Sequence, residues 1–150
     1  MKPLVLLIGV FFTSLLITRL TGDVVDVDLS GRIAMTAMLL LTAIGHFKFK
    51  KGMALMIPAF IPAKDLVVLV TGILEILAAI GLLISSTERL TGICLMIFFL
   101  LLLPANMYAS TKKLNFETGE YNGAGLSYLW FRIPLQVFFI FWVYWFAVKI

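Results

Sequence analysis

Glu75 stands near the middle of an apolar run, Leu66 to Ile84. A carboxylate at such depth in a membrane-spanning helix costs at least about 2.5 to 3.5 kcal/mol on the mildest insertion scale, so it requires a partner, a proton or a water-filled cavity. Gly72, Ala78 and Ala79 lie three or four residues away on or near its face of a helix, and Ile73, Leu77, Ile80 and Ile84 lie on the other. Small residues admit a neighbouring helix and bulky aliphatics suit lipid, which turns Glu75 into the protein. The chemistry open to it there is charge pairing, hydrogen bonding to a ligand's head, or carrying a proton.

Other polar residues gather at comparable depth. Tyr128, Arg132 and Gln136 are spaced four apart, on one helix face. Pro134 beside them leaves the Trp130 carbonyl without its usual amide donor, a vacancy that water, a ligand or a polar side chain can fill. Counted from the end at which their segments enter, Glu75 and Gln136 lie about 15 Å in and Arg132 about 9 Å in, so Arg132 is expected to reach Glu75. His46, with Thr42 one turn before it, and Asn106, just after Pro104, fall near the same mouth. The expected site is therefore His46, Glu75, Asn106, Arg132 and Gln136, with Glu75 the best candidate for chemistry. The plainer alternative is structural: Glu75 and Arg132 neutralise one another, while His46, Asn106 and Gln136 hydrogen-bond helices together.

The elements that carry these residues follow from composition and length. With 62% hydrophobic and 13% charged residues and a mean hydropathy of +1.09, the chain has too little polar surface to wrap a soluble globule. Five apolar segments, at 3–20, 29–47, 65–84, 90–108 and 126–148, are each long enough to cross about 30 Å of hydrocarbon. They predict an all-α, polytopic transmembrane bundle in a single domain over 1–150. The first segment could act as a signal peptide with Lys2 as its charged start, but its length and the lack of an A-x-A pattern favour a retained helix. Lys2, Lys48, Lys50, Lys51, Lys64, Lys112 and Lys113 fall on one side, against Arg19, Arg32, Arg89 and Lys149 on the other, where Asp23, Asp26 and Asp28 accompany the first two. The lysine-rich side is expected in the cytoplasm, with the amino terminus inside and the carboxyl terminus outside. Tyr128 and Trp130 suit one interface, and Trp142, Tyr144 and Trp145 the other. Arg32 is expected to pair with Asp28 one turn away.

Two connections have their own character. Between Lys48 and Lys64, basic residues precede a short apolar stretch broken by Pro58 and Pro62, which suggests an interfacial or re-entrant segment over the mouth of the bundle, a lid or a simple linker. Thr111 to Gly125 is polar and rich in Gly and Asn, and reads as a flexible loop.

Several chemistries are excluded. Cys94 has no mate, so a dithiol or CxxC metal site is unavailable within one chain, and a single histidine cannot support a haem or zinc held mainly by imidazoles. Met35, Met38, Met96 and Met107 lie in hydrophobic stretches, where packing accounts for them. The net charge of +4 resides in lysines at segment ends, which suits anionic membrane lipids rather than nucleic acid.

Taken in order, Gly45-His46-Phe47, Met56-Ile57-Pro58, Thr71-Gly72-Ile73-Leu74-Glu75 running to Gly81-Leu82-Leu83, Pro104-Ala105-Asn106-Met107-Tyr108 and Arg132-Ile133-Pro134-Leu135-Gln136 with Trp142 resemble the DoxX family of small bacterial membrane proteins. The resemblance spans roughly Arg32 to Trp145. It implies a four-helix core of the second to fifth segments, with the first an addition, in a bacterial inner membrane. Some members are associated with membrane redox systems, including quinone-linked sulfur oxidation, and many have no assigned activity. The residues it points to are again His46, Glu75, Asn106, Arg132 and Gln136.

The leading expectation is a protein that binds a lipophilic small molecule, a quinone or lipid, with its apolar body among the third to fifth helices and its head facing Glu75, Arg132 and Gln136. Redox chemistry there would require an outside electron carrier. The alternative is a non-catalytic accessory or assembly subunit, with a membrane protein or a second copy as partner. A transporter or channel is disfavoured, because the outer half offers few polar residues to continue a path.

Overall fold

The computed structural model describes residues 2–22 and 24–149. Asp23, one of the acids expected beside Arg19, lies outside the described residues. Within them the chain forms six α-helices: α1 (Lys2–Thr21), α2 (Val27–Lys48), α3 (Lys50–Met56), α4 (Lys64–Gly81), α5 (Glu88–Thr111) and α6 (Leu129–Val143). A 3-10 turn (Gly125–Tyr128) leads into α6 and a wider π-type turn (Tyr144–Val148) continues it. Asp26 starts α2, its carboxylate accepting the Leu29 amide at 2.8 Å.

All five expected segments are helical. Four helices, namely α1, α2, α5 and the continuous stretch Gly125–Val148, are long and apolar enough to cross a membrane. This is the architecture of an integral membrane protein. The outward faces agree with it, since Leu16 and Leu20 on α1, Leu77 and Ile80 on α4 and Leu101 on α5 are exposed, and such a coat suits lipid rather than water. The 18-residue α4 is about 27 Å long, with Lys64 and Asp65 in its first turn and Glu75 in its body. It stops at Gly81, short of the expected Ile84, because Thr87 Oγ1 donates to the Gly81 carbonyl at 2.9 Å and closes the turn into α5.

Successive long helices run in opposite directions. Ser14 on α1 bonds Ser30 near the start of α2 (3.1 Å), Thr36 on α2 donates to the Ala79 carbonyl near the end of α4 (3.1 Å), and Gln136 on α6 meets Phe99 on α5. The core at their centre is built from Leu7, Met35, Met38, Leu39, Leu82, Leu95, Phe99, Phe139, Trp142 and Val143. Trp142 is buried there, near the end of the bundle where α2 begins. Its indole donates to the Gly31 carbonyl at 3.0 Å, and it packs between Phe11 and Phe146, with ring centroids 5.0 and 4.8 Å away. An indole N–H satisfied inside the bundle has no need of the headgroup region.

Arg32 does not pair with Asp28. It lies on the inward face of α2, between the buried Gly31 and Ala34, and its guanidinium meets Glu88 at the start of α5. The facing helix supplies a closer carboxylate than the preceding turn does.

The segment after α2 is the short helix α3, ended where Ile57 turns extended (ψ 130°) before Pro58. The stretch from Thr111 to Gly125 is folded against it, contrary to a flexible loop. Asn115 and Glu120 form an antiparallel bridge (Asn115 N to Glu120 O, 2.8 Å), and the Gly119 and Gly123 amides close turns at 2.8 and 2.7 Å. Its Gly and Asn residues serve tight turns, with Gly119 at φ 76°. Leu114 is buried with Met56 and Ala109, and Met53 and Phe116 pack beside them. Gly52 makes this possible, because a Cβ there would sit 2.0 Å from the Phe116 carbonyl oxygen. Gly52→Ala is therefore expected to detach the loop from α3 and raise the rate of trypsin cleavage at Lys112 and Lys113 severalfold, whereas Gly45→Ala, whose nearest new contact is 3.5 Å away, leaves the rate unchanged.

Candidate functional site

The deepest charged side chain, Glu75, is held between α2 and α4. These helices approach closely at Gly72, where a Cβ would lie 2.8 Å from the Cβ of His46. The imidazole reaches across this gap. Its Nδ1 lies 3.2 Å from the Val68 carbonyl and 3.1 Å from Thr71 Oγ1, and its Nε2 lies 3.5 Å from Glu75 Oε1, with side-chain exposures of 13% for His46 and 4% for Glu75.

These partners assign the protons. A carbonyl only accepts, and the Thr71 hydroxyl already donates to the carbonyls of Val67 (3.0 Å) or Val68 (2.9 Å), so the hydrogen belongs on Nδ1. Nε2 of a neutral ring is then an acceptor facing a carboxylate oxygen, and two acceptors repel. Nε2 and Oε1 are 3.5 Å apart, and a proton on either atom, as imidazolium with carboxylate or as imidazole with carboxylic acid, relieves that repulsion. Glu75 Oε2 is buried and, among the described residues, has no hydrogen-bond partner.

The other expected site residues lie elsewhere. Gln136 Nε2 donates to the Phe99 carbonyl at 2.6 Å, and its Oε1 accepts from Asn106 Nδ2 at 3.5 Å. Both side chains are buried between α5 and α6. Pro104 supplies no amide to the Leu100 carbonyl, and Gln136 bonds the carbonyl next to it, that of Phe99. Arg132 is half-buried, its guanidinium stacked 5.4 Å from the Tyr128 ring and 5.8 Å from the Phe116 ring. The expected Glu75–Arg132 pair does not form; among the described residues the charged partner of Glu75 is His46. Depth was not the error. α4 packs chiefly on α2 and the last helix on α5, so residues at similar heights face different neighbours. Thr42 bonds only its own helix, at the Leu39 carbonyl (2.9 Å).

Thr71 is the residue that sequence reasoning missed. Its signal was its place four residues before Glu75, one turn along the same face. Neither the pair nor the Gln136 cluster lines the cleft of about 1010 Å³ between α1 and α2, whose walls include Lys2, Leu6, Gly9, Val10, Ser14 and Leu41.

Fold and geometry together define a polytopic helical membrane protein with a buried His–Glu pair between two antiparallel helices. A family model described as "Domain of unknown function (DUF8561)" matches residues 35–147, and the chain belongs to that family. The match holds all five expected site residues and leaves α1 outside. It corrects the resemblance to the DoxX family, since the family that fits these helices is a different one. Strings such as Gly-x-x-Glu or Pro-x-Asn arise wherever membrane helices pack closely around a polar group, so their agreement reflects a shared packing constraint. No curated protein and no solved structure matches the chain.

Gln136 is bonded at both ends of its amide, to the Phe99 carbonyl and to Asn106, and acts as interhelical glue. Gln136→Leu should lower stability to denaturing detergent by about 1 to 2 kcal/mol, the upper range for such bonds in membranes, whereas Thr42→Val should change it by less than about 0.5 kcal/mol.

Proposed function

We propose that this protein binds a lipophilic small molecule, of quinone or lipid class, whose polar head meets the His46–Glu75 pair and whose apolar body lies in the hydrocarbon beside α2 and α4. The observation that carries this reading is Glu75 Oε2, an acceptor held out of water with no hydrogen bond. Leaving such an atom unsatisfied costs about 1 to 3 kcal/mol, and more for a charged group, and a bound head relieves that cost.

In this reading the protein resides in a bacterial inner membrane with its amino terminus in the cytoplasm. The support is the gathering of Lys2, Lys48, Lys50, Lys51, Lys64, Lys112 and Lys113 at the end of the bundle that carries His46.

Mass spectrometry of small molecules retained in native lipid particles tests the binding site. A compound present with the wild type and with Arg132→Leu, and lost from Glu75→Leu of intact fold, is the expected result; the same lipid background in all three overturns the reading. The orientation is tested in a Cys94→Ser background, where an impermeant maleimide applied from the periplasmic side should label Arg89→Cys and spare Lys51→Cys. The reverse pattern would invert the topology.

A further inference from the structure

The proton arrangement at Glu75 restricts the chemistry of the head that can bind there. We infer that the ligand of the His46–Glu75 pair presents a hydrogen-bond donor, a hydroxyl or an amine, to Glu75 Oε2, an inference that rests on the binding reading above. Nδ1 of His46 faces the Val68 carbonyl and Thr71 Oγ1, which favours a hydrogen there, and a proton between Nε2 and Oε1, 3.5 Å apart, then relieves the repulsion of two acceptors. If that proton sits on the ring, Oε2 is half of a carboxylate; if it sits on Oε1, Oε2 is the carbonyl oxygen of an acid. In both cases Oε2 accepts and cannot donate. A further proton on Oε2 would leave an imidazolium without its anion in a buried site, which is the costlier state.

The consequence separates ligand classes that share an apolar body. A quinone, an ester or an ether offers Oε2 only acceptors, and two acceptors in contact repel. A quinol, a long-chain alcohol, a sterol-like alcohol or a primary amine supplies the missing hydrogen. Between oxidised and reduced members of one lipophilic couple, the site therefore favours the reduced, hydroxyl-bearing form.

The same logic predicts how substitutions behave. In Glu75→Gln the amide can turn its NH2 to the bare Nε2 of His46 and leave its oxygen where Oε2 stood, so acceptor and donor roles are both preserved without a mobile proton. Glu75→Leu removes the acceptor altogether.

The test uses two deuterated probes with one tail, hexadecan-1-ol and 1-methoxyhexadecane, equilibrated with the full-length protein in phosphatidylcholine nanodiscs and counted per protein by mass spectrometry against empty discs. Circular dichroism and elution profile establish that each variant is folded. The expected result is that the wild type and Glu75→Gln retain the alcohol over the ether by about tenfold, the effect of about one buried hydrogen bond, and that Glu75→Leu shows no preference. Equal retention of both probes, lost in Glu75→Leu, would overturn the donor assignment and leave the binding site standing. Retention of the alcohol that is unchanged in Glu75→Leu places it elsewhere in the particle and overturns the assignment. Neither probe held above the empty discs would overturn both, with water as the remaining partner of Oε2.

Discussion

Burying Glu75 between two apolar helices is the constraint around which the inner half of this bundle is arranged. A carboxyl group in that position needs a partner that can share a proton, and a partner can reach it only if the helix backbones come close. Gly72 removes the side chain that would hold α2 away, and His46 occupies the space so created. Thr71 and the Val68 carbonyl then orient the ring from the other side. Thr36 ties the far end of the same helix pair through the Ala79 carbonyl. The α2–α4 interface is thus both the most extensive packing contact in the chain and the frame of its buried charge.

The second pair of helices solves a different problem. Pro104 and Pro134 each deny an amide to their helix, and in an apolar medium such gaps must be filled from nearby. Gln136 sits beside the first of these gaps, donating to the Phe99 carbonyl and accepting from Asn106. Arg132 is accommodated by aromatic faces instead of an acid. The two polar clusters therefore differ: Gln136 is bonded at both ends of its amide, whereas Glu75 keeps one carboxyl oxygen without a partner among the described residues. The family assignment has the same consequence for interpretation, since it attaches no activity to the chain and places the whole weight on the chemistry of the site.

The ends of the bundle show how folded connections stabilise it. At the lysine-rich end, α3 is pinned by the 111–125 segment through Gly52, Leu114 and Phe116, and Lys2 reaches Glu117 at 3.4 Å. At the opposite end, Arg32 and Glu88 join the starts of α2 and α5. Breaking a largely desolvated pair of this kind is costly because it leaves a charge without its counterpart. α1 packs along α2, with Leu7 its one buried residue and the wide cleft beside it.

Hydrophobic length and composition alone determined that the chain is a bundle of apolar helices, because a run of about 20 apolar residues has few other stable fates. Local spacing also determined that Glu75 points inward, since Gly72, Ala78 and Ala79 fix which face can be approached. The same rules singled out His46, Asn106 and Gln136, each of which bonds a neighbouring helix. Rotation and neighbour choice were decided only by the tertiary structure. Depth along a helix follows from counting residues, but the partner of a side chain depends on which helices are adjacent and how each is turned. For that reason Glu75 meets His46 instead of Arg132, Arg32 meets Glu88 instead of Asp28, and the Trp142 indole is satisfied by the Gly31 carbonyl. Loop order was equally illegible, because the Gly and Asn residues that permit slack also build tight turns, and only the contact of Phe116 with Gly52 distinguishes the two.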